Sequence, residues 1–152
     1  MAKAGEAEIC RSVGLEAQRA THQLTKIHNE ALKPIALTSS QFGILAYLYG
    51  ARIDGRIRLS TRDVAEFTGL PLSSLSDHLK PLTTRGWIVR VTDTADRRKR
   101  SVSITAKGCT RLRRAVAFWR RAQGHAQDVL GAETAQALSG ILDLTSTKLK
   151  KK

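Results

Sequence analysis

The sequence predicts a mainly α-helical chain with one small β-hairpin, and three observations carry that expectation. Apolar residues recur at helical spacing through most of the chain. Two short β-like runs, WIVRV (Trp87 to Val91) and SVSIT (Ser101 to Thr105), interrupt that rhythm late in the sequence. Only 5% of the 152 residues are aromatic, which favours helices packed through Ala and Leu over an aromatic-rich β-sandwich.

Taken in order, residues 6–33 read as one amphipathic helix. Ile9, Val13, Ala17, Ala20, Leu24, Ile27 and Ala31 advance by three or four and hold one face, and Pro34 ends it. A second helix starts at TSSQ, where Thr38 and Gln41 have the spacing of a capping box. Phe42, Leu45 and Tyr49 line its inner face, and Gly50 is expected to stop it. A loop then leads to a short strand around Ile57–Leu59. Ser60, with Asp63 three residues on, caps a third helix to about Thr68, with Val64, Ala65 and Phe67 inward. Gly69 allows a left-handed C-terminal turn. A fourth helix runs from Leu72 to about Arg85 on Leu75, Leu79 and Leu82, with a kink or tightened last turn at Pro81 and a stop at Gly86. After the hairpin, Thr105 caps a long basic helix with Leu112, Val116, Trp119 and Ala126 on a broken apolar face. Gly131 breaks it, and a last helix from Glu133 to Leu149 presents Leu138, Ile141, Leu142 and Thr145.

Charge narrows the function. The formal charge is +13, and it is unevenly placed: +1 over residues 1–50, +5 over 51–100 and +7 over 101–152. That excess calls for a polyanionic partner, nucleic acid before an anionic membrane surface. The longest apolar run, FGILAYLY, is too short to span a bilayer. The segment MAKAGEAEICRSVG has acids where a signal peptide needs apolar residues, so a cytoplasmic protein is expected. No Gly-rich phosphate loop, nucleophile elbow or paired-carboxylate site is visible, which argues against an enzyme. His22 and His28 are six apart rather than three or four, and His125 with Asp128 has no third ligand nearby, so neither a metal nor another cofactor is expected.

Two helices joined by a short Gly-containing turn and followed at once by a hairpin make a winged helix-turn-helix. The hairpin tip carries four consecutive cations, Arg97, Arg98, Lys99 and Arg100, after Asp96. A tip in that position reaches a minor groove beside the site where the second helix enters the major groove, and weakly hydrated Arg suits the negative potential of a narrow groove. The charge cluster therefore has a mechanical reason to lie there.

The stretches LTSSQFGILAYL, LSTRDVAEFTGLPLSSLSDHLKPLTTRGWIVRV and DRRKRSVSITAKG resemble the MarR family of bacterial winged-helix regulators, over roughly residues 9–145. The resemblance implies a homodimer joined by the terminal helices, with residues 6–36 and 106–150 as the dimerisation region and 37–105 as the DNA-binding domain. It implies a pseudo-palindromic operator on double-stranded DNA, Arg98 inserted in the minor groove and Asp96 organising it. It also implies release by a small, often phenolic or anionic, molecule.

The recognition helix departs from the family pattern, with Leu72 and Asp77 where many members carry Arg or Lys. Ser73, Ser74, Ser76, Asp77, His78 and Lys80 can reach bases or phosphates, although the serines are equally suited to capping. Thr61 and Arg62, at the start of the preceding helix, complete the DNA-facing set. Arg11, His22, Lys26 and Tyr47 are candidates for an effector cleft on the first and second helices. Cys10, beside Arg11, and Cys109 are the redox candidates; inert thiols are the simpler reading. A repressor released by a small organic effector is the leading reading. A thiol-sensing repressor and a non-sequence-specific architectural DNA-binding protein are the alternatives.

Overall fold

The computed structural model describes residues 12–92 and 100–150. Its elements in chain order are α1 (Val13–Leu32), a 3-10 turn (Lys33–Ile35), α2 (Ser39–Ile53), β1 (Leu59–Ser60), α3 (Thr61–Thr68), α4 (Leu72–Thr84), β2 (Ile88–Thr92), β3 (Arg100–Ile104), α5 (Ala106–Leu130) and α6 (Ala132–Lys150). The contacts divide these into two compact units, one over residues 32–118 and one formed by residues up to 31 together with those from 119 onward.

The first unit holds α2 to β3 and the start of α5. Both predicted capping boxes form. Thr38 Oγ1 accepts from Gln41 N at 3.2 Å while Gln41 Oε1 accepts from Thr38 N at 3.2 Å. Ser60 and Asp63 repeat the exchange at 3.1 Å in each direction. Such caps satisfy orphan N–H groups that no helical carbonyl can reach. The core consists of Ile44, Leu45, Val64, Leu75, Leu79, Leu82, Ile88 and Val102, all essentially inaccessible to solvent. Each such side chain contributes about 1.5–3 kcal/mol on burial. The three strands are antiparallel in the order β1-β3-β2, with Leu59 opposite Val102 and Ile88 opposite Ile104.

Several boundaries differ from the sequence expectation, each for a visible reason. Residues 6–11 of the expected first helix lie outside the described residues. Ser12 is not helical; its carbonyl accepts from Glu16 N, and α1 begins at Val13. Gly50 does not stop α2, which continues to Ile53 and buries Ala51 beyond the reach of a shorter helix. The stop falls instead at Gly55, whose φ of 80° permits the paired bonds Gly55 N to Arg52 O and Arg56 N to Ala51 O. The first strand is Leu59–Ser60 rather than Ile57–Leu59, since Ile57 is 70% exposed and only Leu59 pairs into the core. Tyr49 is half-buried, and Ile44 and Leu48 take the inner positions of α2.

Phe67 points outward, 56% exposed, and its ring stacks on Tyr47 at 3.9 Å and 5°. The eight-residue α3 buries only Val64 and Ala65, and Phe67 sits past that narrow stripe. At the end of α4, Gly86 N donates to Thr83 O and Trp87 N to Leu82 O, a Schellman termination with Gly86 at φ 68°. Pro81 is accommodated within the helix, and the tightened end lies at Gly86. That termination absorbs Trp87, so β2 starts one residue later than expected, and β3 ends one residue earlier because Thr105 caps α5 through Gly108 N at 3.0 Å.

In the second unit, His28 Nδ1 donates to Leu24 O at 2.8 Å, and the His28 ring packs on Trp119 of α5 with centroids 4.1 Å apart. Ala122 and Ala126 are buried alongside. Of the apolar faces expected on α1 and α6, Val13, Ala17, Ala20, Ile141 and Leu142 are exposed, and Leu24, Ile27, Ala31 and Leu138 are half-buried; Leu15, Leu144 and Leu149 are exposed as well. Thr145, expected on the inner face of α6, is exposed as well.

Candidate nucleic-acid interface

The helix-turn-helix is made by α3, the Gly69–Leu70 turn and α4, with Gly69 at φ 68°. The left-handed turn lets the chain reverse within a few residues, and Pro71 then presets the entry to α4. Pro71 has no side-chain acceptor to cap with, and its carbonyl accepts from Ser74 N and Leu75 N, both at 3.0 Å. Ser74 Oγ also donates to Pro71 O at 3.0 Å, which turns that hydroxyl back on its own helix.

With Leu75, Leu79 and Leu82 inward, the opposite strip of α4 presents Ser73, Ser76, Asp77 and Lys80 to solvent. His78 is half-buried at the side. Thr61 is half-buried and Arg62 exposed at the start of α3. The strip therefore offers two hydroxyls, one carboxylate and one ammonium, and Leu72, 53% exposed, is its apolar leading edge.

Between α4 and the base of the hairpin lies a cleft of about 320 Å³ lined by Thr61, Leu72, Leu75, Ser76, Leu79, Arg90 and Arg100. Arg90 was not among the residues singled out from sequence. The signal was available in the strand alternation: Arg90 follows Ile88 by two, pairs with Val102, and shares the face that looks toward α4. Arg100 pairs with Thr92 on the same face. Two guanidinium groups thus border the exposed strip of α4, where phosphates flanking a groove-bound helix would lie.

Asp96, Arg97, Arg98 and Lys99 lie outside the described residues, as do Cys10 and Arg11. Of the effector candidates, His22 and Lys26 are exposed on α1, whereas Tyr47 belongs to the other unit and its ring is engaged by Phe67. Cys109 is a buried free thiol, 7% exposed, in the first turn of α5. Among the described residues no three His, Cys, Asp or Glu side chains lie together as metal ligands, and no helix is long and apolar enough to cross a membrane.

A helix-turn-helix continued into a β-hairpin with a three-stranded antiparallel sheet defines a winged-helix protein. Residues 37–99 match the MarR family. Proteins of this family are transcription regulators, not enzymes. Among solved structures, the chain is similar to the transcriptional repressor CouR bound to a 23-mer DNA duplex, at 25% identity over 91% of this chain and 95% of that one, with a TM-score of 0.73. It is similar to BpsR of Bordetella bronchiseptica, solved to explain regulation of its DNA binding by 6-hydroxynicotinic acid, at 25% identity, 90% and 94% coverage, and a TM-score of 0.73. An E. coli MarR variant complexed with operator DNA shares the fold at 19% identity, 88% and 92% coverage, and a TM-score of 0.71. Comparison with curated protein sequences gives no match.

Proposed function

We propose that this chain is a sequence-specific DNA-binding regulator that works as a cytoplasmic homodimer on a pseudo-palindromic operator. The observation that carries the reading is the exposed strip Ser73, Ser76, Asp77 and Lys80 on α4, flanked by Arg90 and Arg100 at the base of the hairpin. The hydroxyls and Asp77 suit base edges, Asp77 accepting from a cytosine N4 amine, while the cations suit phosphates. The hairpin tip, with Arg98 in the minor groove and Asp96 organising it, completes the contact. The exposed apolar residues of α1 and α6 support self-association, because apolar surface of that extent is rare on monomers. The assignment of residues 6–36 and 106–150 to dimerisation and 37–105 to DNA binding belongs to the same reading.

The regulator acts as a repressor, released when a small organic effector binds the spacing of the two winged helices that does not fit DNA. CouR is named a repressor, and the DNA binding of BpsR is regulated by an aromatic acid; these likenesses support the reading. Selection from a random duplex pool tests it. A two-fold symmetric motif with half-sites about one helical turn apart is the expected result. A motif without symmetry, or sedimentation as a monomer at micromolar concentration, would contradict it.

A further inference from the structure

The C-terminal end of α4 gathers positive charge that the DNA-facing strip does not use. Arg85 caps that end and donates through Nη1 to Ala36 O at 2.7 Å. Arg111, in α5, donates through Nη2 to Ile35 O. Both guanidinium carbons lie over the ring of Trp87, at 5.0 Å and 4.8 Å from its centroid. Arg114 follows one turn on along α5. Among the described residues none of the three has a carboxylate partner, and Arg111 Nε is buried with no hydrogen-bond acceptor. Burial, then the charges of Arg85 and Arg114, push the Arg111 guanidinium below its ordinary range.

A guanidinium carries five donors in a rigid fork, and a buried donor left unpaired costs about 1–3 kcal/mol. Like charges held together in a partly desolvated place add to that cost. An oxyanion removes both penalties at once: it accepts from the free Nε–H and offsets the repulsion, with the planar forks matched to its oxygens.

We propose that Arg85 and Arg111, both over Trp87, with Arg114 one turn further along α5, bind a small oxyanion of the carboxylate or phosphate class: the acidic group of an effector. This rests on the effector-regulated reading above and gives it a location. A DNA phosphate is the poorer occupant. The 13 residues of α4 span about 20 Å, which sets Arg85 a helix length from Ser73. Occupancy would also compete for the two guanidiniums that hold Ile35 O and Ala36 O. Those carbonyls belong to the turn that leads into α2, where Ala36 is held at φ 52°, so the anion acts on that turn.

The test is a titration of the full chain with sodium benzoate and, separately, inorganic phosphate at fixed ionic strength. It is followed by NMR through the Trp87 indole N–H and the Arg111 Nε–H. Saturable shifts are expected at both groups, with half-saturation raised about tenfold in Arg114→Gln, the loss of one charge-assisted contact. Arg114 is exposed and makes no hydrogen bond among the described residues, so this variant should keep the fold. Arg111→Lys, which keeps the charge and removes Nε, should weaken binding as well. Saturation by benzoate alone identifies a carboxylate effector, and saturation by phosphate alone a phosphorylated one. Shifts that track salt as chloride does, or variants that saturate like the wild type, overturn the proposal. So does an Arg114→Gln protein that loses affinity for a mixed-sequence duplex together with part of its salt slope, because the anion would then be a DNA phosphate. The titration is read on free protein, so a failure of the wild type to bind DNA would remove the regulatory reading without deciding the anion site.

Discussion

Gly108 has no room for a side chain. A Cβ there would lie 2.0 Å from Trp87 O, 2.9 Å from Trp87 C and 2.8 Å from Ile104 Cγ1. Restoring an ordinary contact of 3.4 Å to the carbonyl requires the start of α5 to retreat by about 1.4 Å. That retreat breaks a compact joint. Trp87 O accepts from Thr105 N at 3.0 Å, Thr105 Oγ1 lies 2.7 Å from Gly86 O, and the same oxygen accepts from Gly108 N at 3.0 Å. Gly108→Ala should therefore cost about 3 kcal/mol, the upper part of the overpacking range. For a chain of this size the melting temperature falls by about 3 °C per kcal/mol, so a loss of roughly 9 °C is expected. Gly50→Ala is the matched control, because nothing lies within 4 Å of its Cβ in the interior of α2. It should stabilise by up to about 1 kcal/mol through helix propensity. Circular dichroism melts and urea titrations of both variants check the pair. A Gly108→Ala protein that melts with the wild type would refute the close approach of α5 to Trp87.

Thr38→Ala and Ser60→Ala should each cost about 1 kcal/mol in urea titrations, additively, because the two capping boxes begin different helices. Arg98→Ala should weaken operator binding more than Lys99→Ala; if Lys99 touches a single phosphate, its loss lowers the salt slope by about 0.9 and weakens all sequences alike, as a salt titration would show. Peroxide should leave DNA binding intact in both wild type and Cys10→Ser; release of the wild type alone would make Cys10 the sensor. Cys109 should react with a thiol reagent only as fast as the fold opens, since it is buried in the first turn of α5, and rapid labelling of native Cys10→Ser would contradict that placement.

Much of this fold was legible because its signals are local. Capping boxes at Thr38 and Ser60, the left-handed Gly69 and the Leu75–Leu79–Leu82 stripe depend on neighbours within one turn, and each appears where spacing placed it. Misplaced features depended on distant contacts. Gly50 reads as a stop until Leu48 and Ala51 are seen buried on either side of it. Phe67 reads as core until Tyr47, twenty residues earlier, offers its ring outside. Arg90 needed the register with Val102 to be assigned a face. The cluster of Arg85, Trp87 and Arg111 joins two segments around carbonyls of a third, and no spacing in the sequence announces it.

The central claim is that this winged helix reads sequence rather than charge alone. The most direct measurement is competition, at fixed near-physiological salt, between the duplex recovered by selection and a scrambled duplex of equal length. The account predicts that the selected duplex binds at least about a thousandfold more tightly, the lower end for specific recognition. It further predicts that Asp77→Ala narrows the gap at a cytosine position while leaving affinity for the scrambled duplex unchanged. Equal affinity for the two duplexes, with the same salt slope, would make the chain an architectural DNA-binding protein and contradict the account.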